Sequence, residues 1–465
     1  MPQPKTNQLE MTSTERDKLR DQIEKHWTND SADMEPRSKA MQRWTKLTHG
    51  FSDDSNVPDH KRSNFHIPLI LWMIINKVAK EITPLLGEDS EIVVVPVGPS
   101  DAARKDKVKR WMTFRVKQLK LFAKYYSHLF KKAENGTSIL YVPWVTRTRL
   151  VKTVKAGTRP VEDEFEDAID EESQLPALVP KTETFTEDNI EEVTTFDGID
   201  PVPENIEDWA IPAVATSFED ADHFTRRLRL TLDEIHDLRD TNKISPDLLT
   251  DSDMDRLAEL SEESRSETSA QPDAGAKVRA EKRQLTGVPV DGSGGPSKIV
   301  IYNYFGKLRK KKGSKAVEIV AFYSPSLKKV LGVAELVEMF PDGKVPFIKS
   351  PLILNPDSFW GKGIPEVLES ISREMNAMHN IVTDAGMMAV APVGAYKPIA
   401  GFDATKFEYG PGIMLPLADP ERDLVFKSPG TPNLQIYAVL MPALLQMAEN
   451  LIGLTQPEIG RQFTG

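Results

Sequence analysis

The chain has no cysteine. That excludes disulfides, thiolate metal ligands and thiol nucleophiles together, and points to folding in a reducing cytoplasm. Its eight histidines are scattered, with no two at a metal-ligand spacing, so neither a metal nor another cofactor is expected. Long hydrophobic runs are also missing. The longest, Ile67 to Ile75, is about half of the roughly 20 residues that a membrane span needs, and Asn76-Lys77 closes it. It reads as a buried helix, with no membrane partner. The N-terminal stretch MPQPKTNQLEMTSTERDKLRD is polar and lacks the apolar core of a secretory leader. An excess of basic charge is absent as well: 59 Lys and Arg stand against 70 Asp and Glu, a net charge of -11. A protein that grips nucleic acid over its whole surface needs the opposite balance, although a local grip is compatible with it.

What is present fits an α+β protein of two or three structural units, because 465 residues exceed the roughly 250 to 300 that one core supports. An apolar fraction of 39% with 28% charged residues describes a soluble chain with solvated parts. Residues 12 to 47 read as solvated helix, and Asn64 to Leu86 as a helix with Pro68 in its first turn that ends before TPLLG. EIVVVPVGPSD reads as a short strand. From Ala103 to Lys132 one long amphipathic helix is expected. Val108, Trp111, Met112, Val116, Leu119, Phe122, Tyr126 and Leu129 form its apolar stripe, and Lys105, Lys109, Lys117, Lys120 and Lys124 its solvated back. Interleaved basic and aromatic residues also suit a nucleic-acid surface, but the aromatics sit on the stripe, which favours a core-facing helix. Asn135-Gly136 then turns the chain into the strand TSILYVPW.

The acidic run VEDEFEDAIDEESQ, residues 161 to 174, reads as a mobile solvated loop. It lacks the ligand pattern of a calcium loop. Thr231-x-x-Glu234 is a capping box that starts a helix; a second helix begins near Ser245-Pro246 and runs to about Ser264. Residues 263 to 297 are a Gly/Pro/Ser-rich connector. The strands KIVIYNYFG, AVEIVAFYS and LKKVLGVAEL follow as an antiparallel meander. The tip of its first hairpin carries Lys307, Arg309, Lys310, Lys311, Lys312 and Lys315, six cations in nine residues. A charged tip can keep a sheet edge from aggregating, or it can meet DNA phosphates or an acidic partner.

The stretch SFWGKGIPEVLESISREMN, residues 358 to 376, holds a Gly-x-Gly pair that raises the question of a phosphate cradle. A dinucleotide fingerprint needs a third glycine where this chain has Glu366, and a P-loop needs Ser or Thr after the lysine where it has Gly363. Gly363-Ile364-Pro365 instead opens a helix. Ile364, Val367, Leu368, Ile371, Met375, Met378 and Val382 form its apolar stripe, with Glu366, Glu369, Arg373, Glu374 and Asn380 pointing elsewhere. No Walker A motif, metal pair, Ser-His-Asp order or reactive cysteine supports an enzyme.

The succession SNFHIPLILWMIINKVAKEITPLL, EIVVVPVGPSD, LFKKAENGTSILYVPW, IEDWAIPAVATSFEDADHFTRRLRLTLDEI and FWGKGIPEVLESISREMNAMHNIVTDAGMM resembles the portal proteins of tailed bacteriophages, in particular the short-tailed type. The resemblance spans most of the chain, and its specific part is the order of the pieces. It implies a ring, usually of twelve subunits, at one capsid vertex, through which double-stranded DNA is packaged and ejected. It further implies docking of terminase, a tail adaptor and capsid or scaffolding protein, with assembly in the host cytoplasm and residence in the virion. The implied fold has an α+β wing, a helical stem, a small α/β clip and a helical crown. By that pattern residues 1–225 are wing, 226–296 the stem approach helix and linker, and 297–350 clip. Residues 351–390 are then the stem helix, and 391–465 a return to the wing with a helix kinked at Pro442. Family members continue past the point where this chain reads GRQFTG, so the crown is expected to be absent or truncated. The resemblance makes the clip tip, Lys307 to Lys315, a contact for adaptor, motor or DNA. It places Glu366, Glu369, Arg373 and Glu374 on the channel face or in links between subunits. The competing readings are a nucleotide-binding DNA translocase or other DNA-binding enzyme, and a sequence-specific DNA binder, which acidity and the lack of a recognition-helix module disfavour.

Overall fold

The computed structural model describes residues 6–49, 63–86, 92–96, 98–169, 176–266, 298–309, 316–340, 342–390, 393–396, 424–427 and 434–454. It is an α+β structure with helices and antiparallel sheets. The helices are α1 (Ser13–Asp33), α2 (Glu35–His49), α3 (Leu69–Leu86), α4 (Pro99–Ala102), α5 (Lys105–Gln118), α6 (Leu121–Asn135), α7 (Leu232–Asp240), α8 (Asp251–Ser266), α9 (Leu336–Met339), α10 (Ile364–Val390) and α11 (Leu434–Ile452). The strands are β1 (Thr137–Tyr141), β2 (Trp144–Ile169), β3 (Pro176–Ile199), β4 (Val202–Pro203), β5 (Trp209–Ala210), β6 (His223–Leu230), β7 (Ile299–Leu308), β8 (Val317–Ser324), β9 (Lys329–Glu335), β10 (Phe347–Pro351), β11 (Val393–Tyr396) and β12 (Leu424–Lys427). Two compact units separate: Val142–Val202 with the first three residues, and Pro4–Tyr141 with Pro203–Gly465.

The smaller unit is a long hairpin. β2 pairs antiparallel with β3 from Trp144↔Ile199 to Ile169↔Pro176, with register shifts at Arg147/Thr148 and Pro160/Phe165. Residues 161–169 of the acidic run therefore stand in a strand and not in a loop, while 170–175 lie outside the described residues. The difference comes from pairing across the hairpin: the end of the run, residues 165–169, pairs with the apolar residues 176–180, a partner that the run's own composition does not reveal. At the root, Arg147 is ion-paired with buried Asp200, and Trp144 Nε1 donates to Asp197 at 2.8 Å.

In the larger unit β5 to β9 form one five-stranded antiparallel sheet in chain order. The expected meander is present as β7, β8 and β9, but β6 adds to it through His223↔Gly306 to Leu230↔Ile299, so the sheet is wider than the meander alone. The expected boundaries at 225 and 350 fall inside β6 and β10, and β10 pairs with β1. Both faces are covered, as the period-2 alternation of β7 and β8 requires. Tyr304, Ile319, Ala321 and Tyr323 pack under Leu19 and Ile23 of α1. Ile299, Ile301 and Phe322 pack with Ile235 of α7 and Met254 and Leu257 of α8. Farther along that second face, Phe305 joins an aromatic cluster of Trp209, Phe218, Phe224, Phe347 and Phe359. Thr231 and Glu234 make the expected capping box of α7. Thr12 and Glu15 form a second one at α1.

The helical core combines α3, α6, α10 and α11 through Ile70, Met73, Ile74, Leu129, Leu368, Ile371 and Leu444; each such buried side chain contributes about 1.5–3 kcal/mol. α3 runs through Pro84 to Leu86, past the expected stop, because a proline in the last turn removes only one helical bond. Residues 92–96 of EIVVVPVGPSD are not in a strand, and Val93 and Val95 are exposed.

The single helix expected from Ala103 to Lys132 is two. Lys120 takes a left-handed backbone, φ 50°, between α5 and α6, and a non-glycine residue there breaks a helix. The expectation that the stripe faces a core is also corrected for the first half. No residue of α5 is buried, and Val108, Trp111, Met112 and Phe114 are exposed, as are Phe122 and Tyr126 of α6. Deeper in α6, Leu129 and Ala133 do reach the core.

Candidate assembly surfaces and the glycine junction

Gly361 and Gly363 answer to packing. A Cβ on Gly136, which has φ +79°, meets Gly361 O at 2.4 Å and Gly363 N at 2.6 Å; one on Gly363 meets Glu134 O and Gly136 N, each at 2.7 Å. The turn between α6 and β1 is thus pressed backbone to backbone against the start of α10. The amides that a phosphate needs are already engaged: Gly361 N donates to Thr137 Oγ1 at 2.7 Å and Lys362 N to Ile353 O at 3.1 Å. There is no cradle for an anion at this pair.

Arg37 of α2 holds the junction from the side. Its Nη2 donates to Asn135 O at 2.6 Å and Gly361 O at 3.1 Å, and its guanidinium lies 5.1 Å from the ring centre of Trp360 and 5.7 Å from that of Trp44. Burial pushes its pKa down to about 10, with the charge of Glu366 acting in the opposite direction. Arg37 is therefore still a cation at neutral pH.

The four charged residues of α10 expected on the channel face or between subunits divide. Glu366 has a carboxylate oxygen with no hydrogen-bond partner and no solvent contact. Glu369 is 2.8 Å from Arg43 of α2 and 3.1 Å from Arg373. Arg373 and Glu374 are exposed. Two members of the expected surface set are thus turned toward the chain's own α2 region, and two toward solvent.

Sequence reading set Asn380 off the apolar stripe of α10 but missed the polar row it belongs to. Asn376, Asn380 and Asp384, four residues apart, bind the extended segment 63–67: Asn376 Oδ1 accepts from Ile67 N at 2.8 Å, Asn380 Oδ1 from Phe65 N at 2.8 Å, and Asp384 Oδ1 from Ser63 N at 2.5 Å. Asn380 Nδ2 returns a bond to Phe65 O at 3.1 Å. The four-residue spacing of short amide and carboxylate side chains was the available signal. His379 lies beside this row, 3.0 Å from Tyr437 Oη of α11.

At the β7–β8 hairpin Lys307 is 3.4 Å from Asp222, and Arg309 is exposed; Lys310, Lys311, Lys312 and Lys315 lie outside the described residues. Lys307 sits on the rim of a cavity of about 470 Å³ floored by Phe218, Phe224, Phe305 and Phe347 and edged by Asp222, Glu318 and Lys344. Under the same sheet the rings of His26 and His223 stack at 3.6 Å, with Asp30 3.2 Å from His223 Nε2 and Tyr304 Oη 3.0 Å from His26 Nδ1. Burial, then His223, lowers the pKa of His26, against an opposing pull from Asp30.

Among the described residues no group of three or more His, Asp or Glu is placed to hold a metal ion, and no helix is long and apolar enough to cross a membrane. No protein-family model matches the chain, and no curated protein matches it.

Proposed function

We propose that this chain is a portal-type protein: a subunit of a closed ring that guides double-stranded DNA through its centre and docks a packaging motor, a tail adaptor and the capsid. The carrying observation is that long amphipathic helices leave apolar residues in solvent in the single chain. Ile381 and Met387 of α10, Val439, Met447 and Leu451 of α11, and the face of α5 are all exposed. Scattered exposed apolar residues are ordinary, but three helices with uncovered apolar residues suit a protein whose neighbours are sister copies in a heterologous ring. The order of sequence segments supports the same reading, and so does the charge. A conduit must not hold its cargo tightly, since each neutralised phosphate adds salt-dependent affinity, and a net charge of -11 opposes such a grip. In this reading the α+β layers form the wing, α10 belongs to the stem, and the basic β7–β8 tip meets the adaptor, motor or DNA.

Electron microscopy of purified protein tests the proposal. Rings with a central hole wide enough for a duplex, roughly 20 Å or more across given the width of B-form grooves and backbone, are expected. A monodisperse monomer at tens of micromolar rejects it.

A further inference from the structure

Where α1 crosses the five-stranded sheet, a group of titratable side chains meets that neither core packing nor assembly accounts for. His26 of α1 lies flat on His223, the first residue of β6, with ring centres 3.6 Å apart and 19° between the planes. Tyr304 of β7 flanks the pair: its Oη is 3.0 Å from His26 Nδ1 and accepts from Gln22 Nε2 at 3.4 Å. With Gln22 donating, the tyrosine hydroxyl is free to donate to Nδ1, so neutral His26 carries its own proton on Nε2. Buried Asp30, one turn further along α1, sets Oδ2 3.2 Å from His223 Nε2. The other charges nearby have different partners or oppose a further cation. Glu24 accepts from Tyr323 Oη, Asp222 is 3.4 Å from Lys307, Asp208 holds Arg227 and Arg229, and Lys25 repels a charge on His26. The apolar anchors of α1, Leu19 and Ile23, lie before this group. Beyond them the helix meets β6 and β7 through the histidine stack, Asp30 and Trp27, which stacks on Tyr302 at 4.2 Å.

We propose that the His26–His223 stack is an acid-operated latch that holds the last turns of α1 against β6 and opens when both imidazoles are protonated. A neutral pair stacks as two aromatic rings, and one proton on the pair is answered by Asp30. A second proton sets two cations face to face at 3.6 Å. Asp30 cannot answer both, and like charges that share a site disfavour each other's charged form. The second proton also turns His26 Nδ1 into a donor. Tyr304 Oη then accepts from both His26 and Gln22, and the hydroxyl proton of a buried tyrosine loses its partner. Burial, followed by the charge of His223, already lowers the pKa of His26, with Asp30 opposing. The closed latch therefore resists the second proton and the opened helix takes it up. Opening grows as pH falls below the ordinary histidine value of about 6.5, by up to about tenfold per pH unit for one extra proton. His223 also lines the cavity of about 470 Å³, which gives the stack a path to solvent. The latch stands just before Met34, where α1 passes into α2, the helix whose Arg37 and Arg43 hold the start of α10. It works within a single copy and does not require the ring.

Amide hydrogen exchange of the full chain, read by mass spectrometry between pH 7.5 and pH 5, tests the latch. Each rate is divided by the intrinsic rate of an unprotected amide at the same pH. Amides of residues 27–33 should lose protection by at least about tenfold between pH 6.5 and pH 5. Low urea, which promotes openings that expose much surface, should leave their rates nearly unchanged. His26→Phe keeps a ring for the stack and removes the titration, so its protection at 27–33 should stay nearly level with pH. Asp30→Asn removes the carboxylate that answers the first proton and should move the loss of protection to higher pH. Three results overturn the latch: protection at 27–33 that does not change with pH, an equal loss in His26→Phe, or rates that rise with urea as those of the core strand β1 do. If His26→Phe does not fold, Asp30→Asn decides, and an unchanged onset overturns the latch.

Discussion

His128 shows how one residue ties stability to pH. Its ring lies in the core of α6, 2.9 Å from Ser138 Oγ, and burial followed by the charges of Lys132 and Lys131 pushes its pKa down to about 4, with Glu81 opposing. The folded protein therefore keeps this imidazole neutral where the unfolded chain protonates it. Between about pH 6.5 and pH 4 the unfolded state binds more protons, so stability falls as pH falls and levels off below the folded value. A shift of this size corresponds to about 3 kcal/mol. Burial lowers His26 and His66 in the same direction, so their contributions add to the acid loss. Urea midpoints measured at pH 7.5 and pH 4.5 should show a large drop for the natural protein and a smaller one for His128→Gln. An equal drop in both removes His128 as a cause.

Elements meet at the glycine junction, where the cost of a side chain is set by the neighbouring element and not by local propensity. Gly136→Ala places a Cβ 2.4 Å from Gly361 O and requires a left-handed backbone of an L-residue, so a loss of about 3 kcal/mol or more is expected. Gly386, inside α10, has nothing within 4 Å of the added carbon. Gly386→Ala should therefore be neutral or stabilise by about 0.5–1 kcal/mol through helix propensity. Chemical denaturation of the two variants separates these cases; similar midpoints contradict the packed junction. The same junction explains why a Gly-x-Gly pair need not announce a nucleotide: the pattern permits close approach, and here the approaching group is the backbone of residues 134–136.

For the whole molecule, apolar residues left exposed on α5, α10 and α11 couple folding to association if sister copies cover them. Mass action then makes the melting temperature depend on concentration. Calorimetry at about 1 and about 100 micromolar should show a rise of several degrees on going to the higher value, in line with the usual few degrees per kcal/mol for a chain of this size. A melting temperature independent of concentration speaks against assembly through these faces.

Much of the architecture was legible in the residues. The apolar periods of α3 and α10, the capping box at Thr231, and the alternation of β7, β8 and β9 arise from local chain geometry and burial, and they appear where periodicity puts them. So did the failure of the phosphate motif, because the required residues are simply not there. Other features were settled by contacts distant in sequence. Whether the stripe of α5 faces a core depends on what packs against it, and within the described chain nothing buries it. The acidic run is a nearer case: its end entered a strand because residues 176–180, the returning arm of the same hairpin, pair with it. Glu366 and Glu369 turned inward because α2 supplies Arg37 and Arg43, and Asn376, Asn380 and Asp384 became a ladder because residues 63–67 lie along them. Local sequence sets which conformations and faces a segment favours; the free energy that chooses its partner is spread over residues hundreds of positions apart.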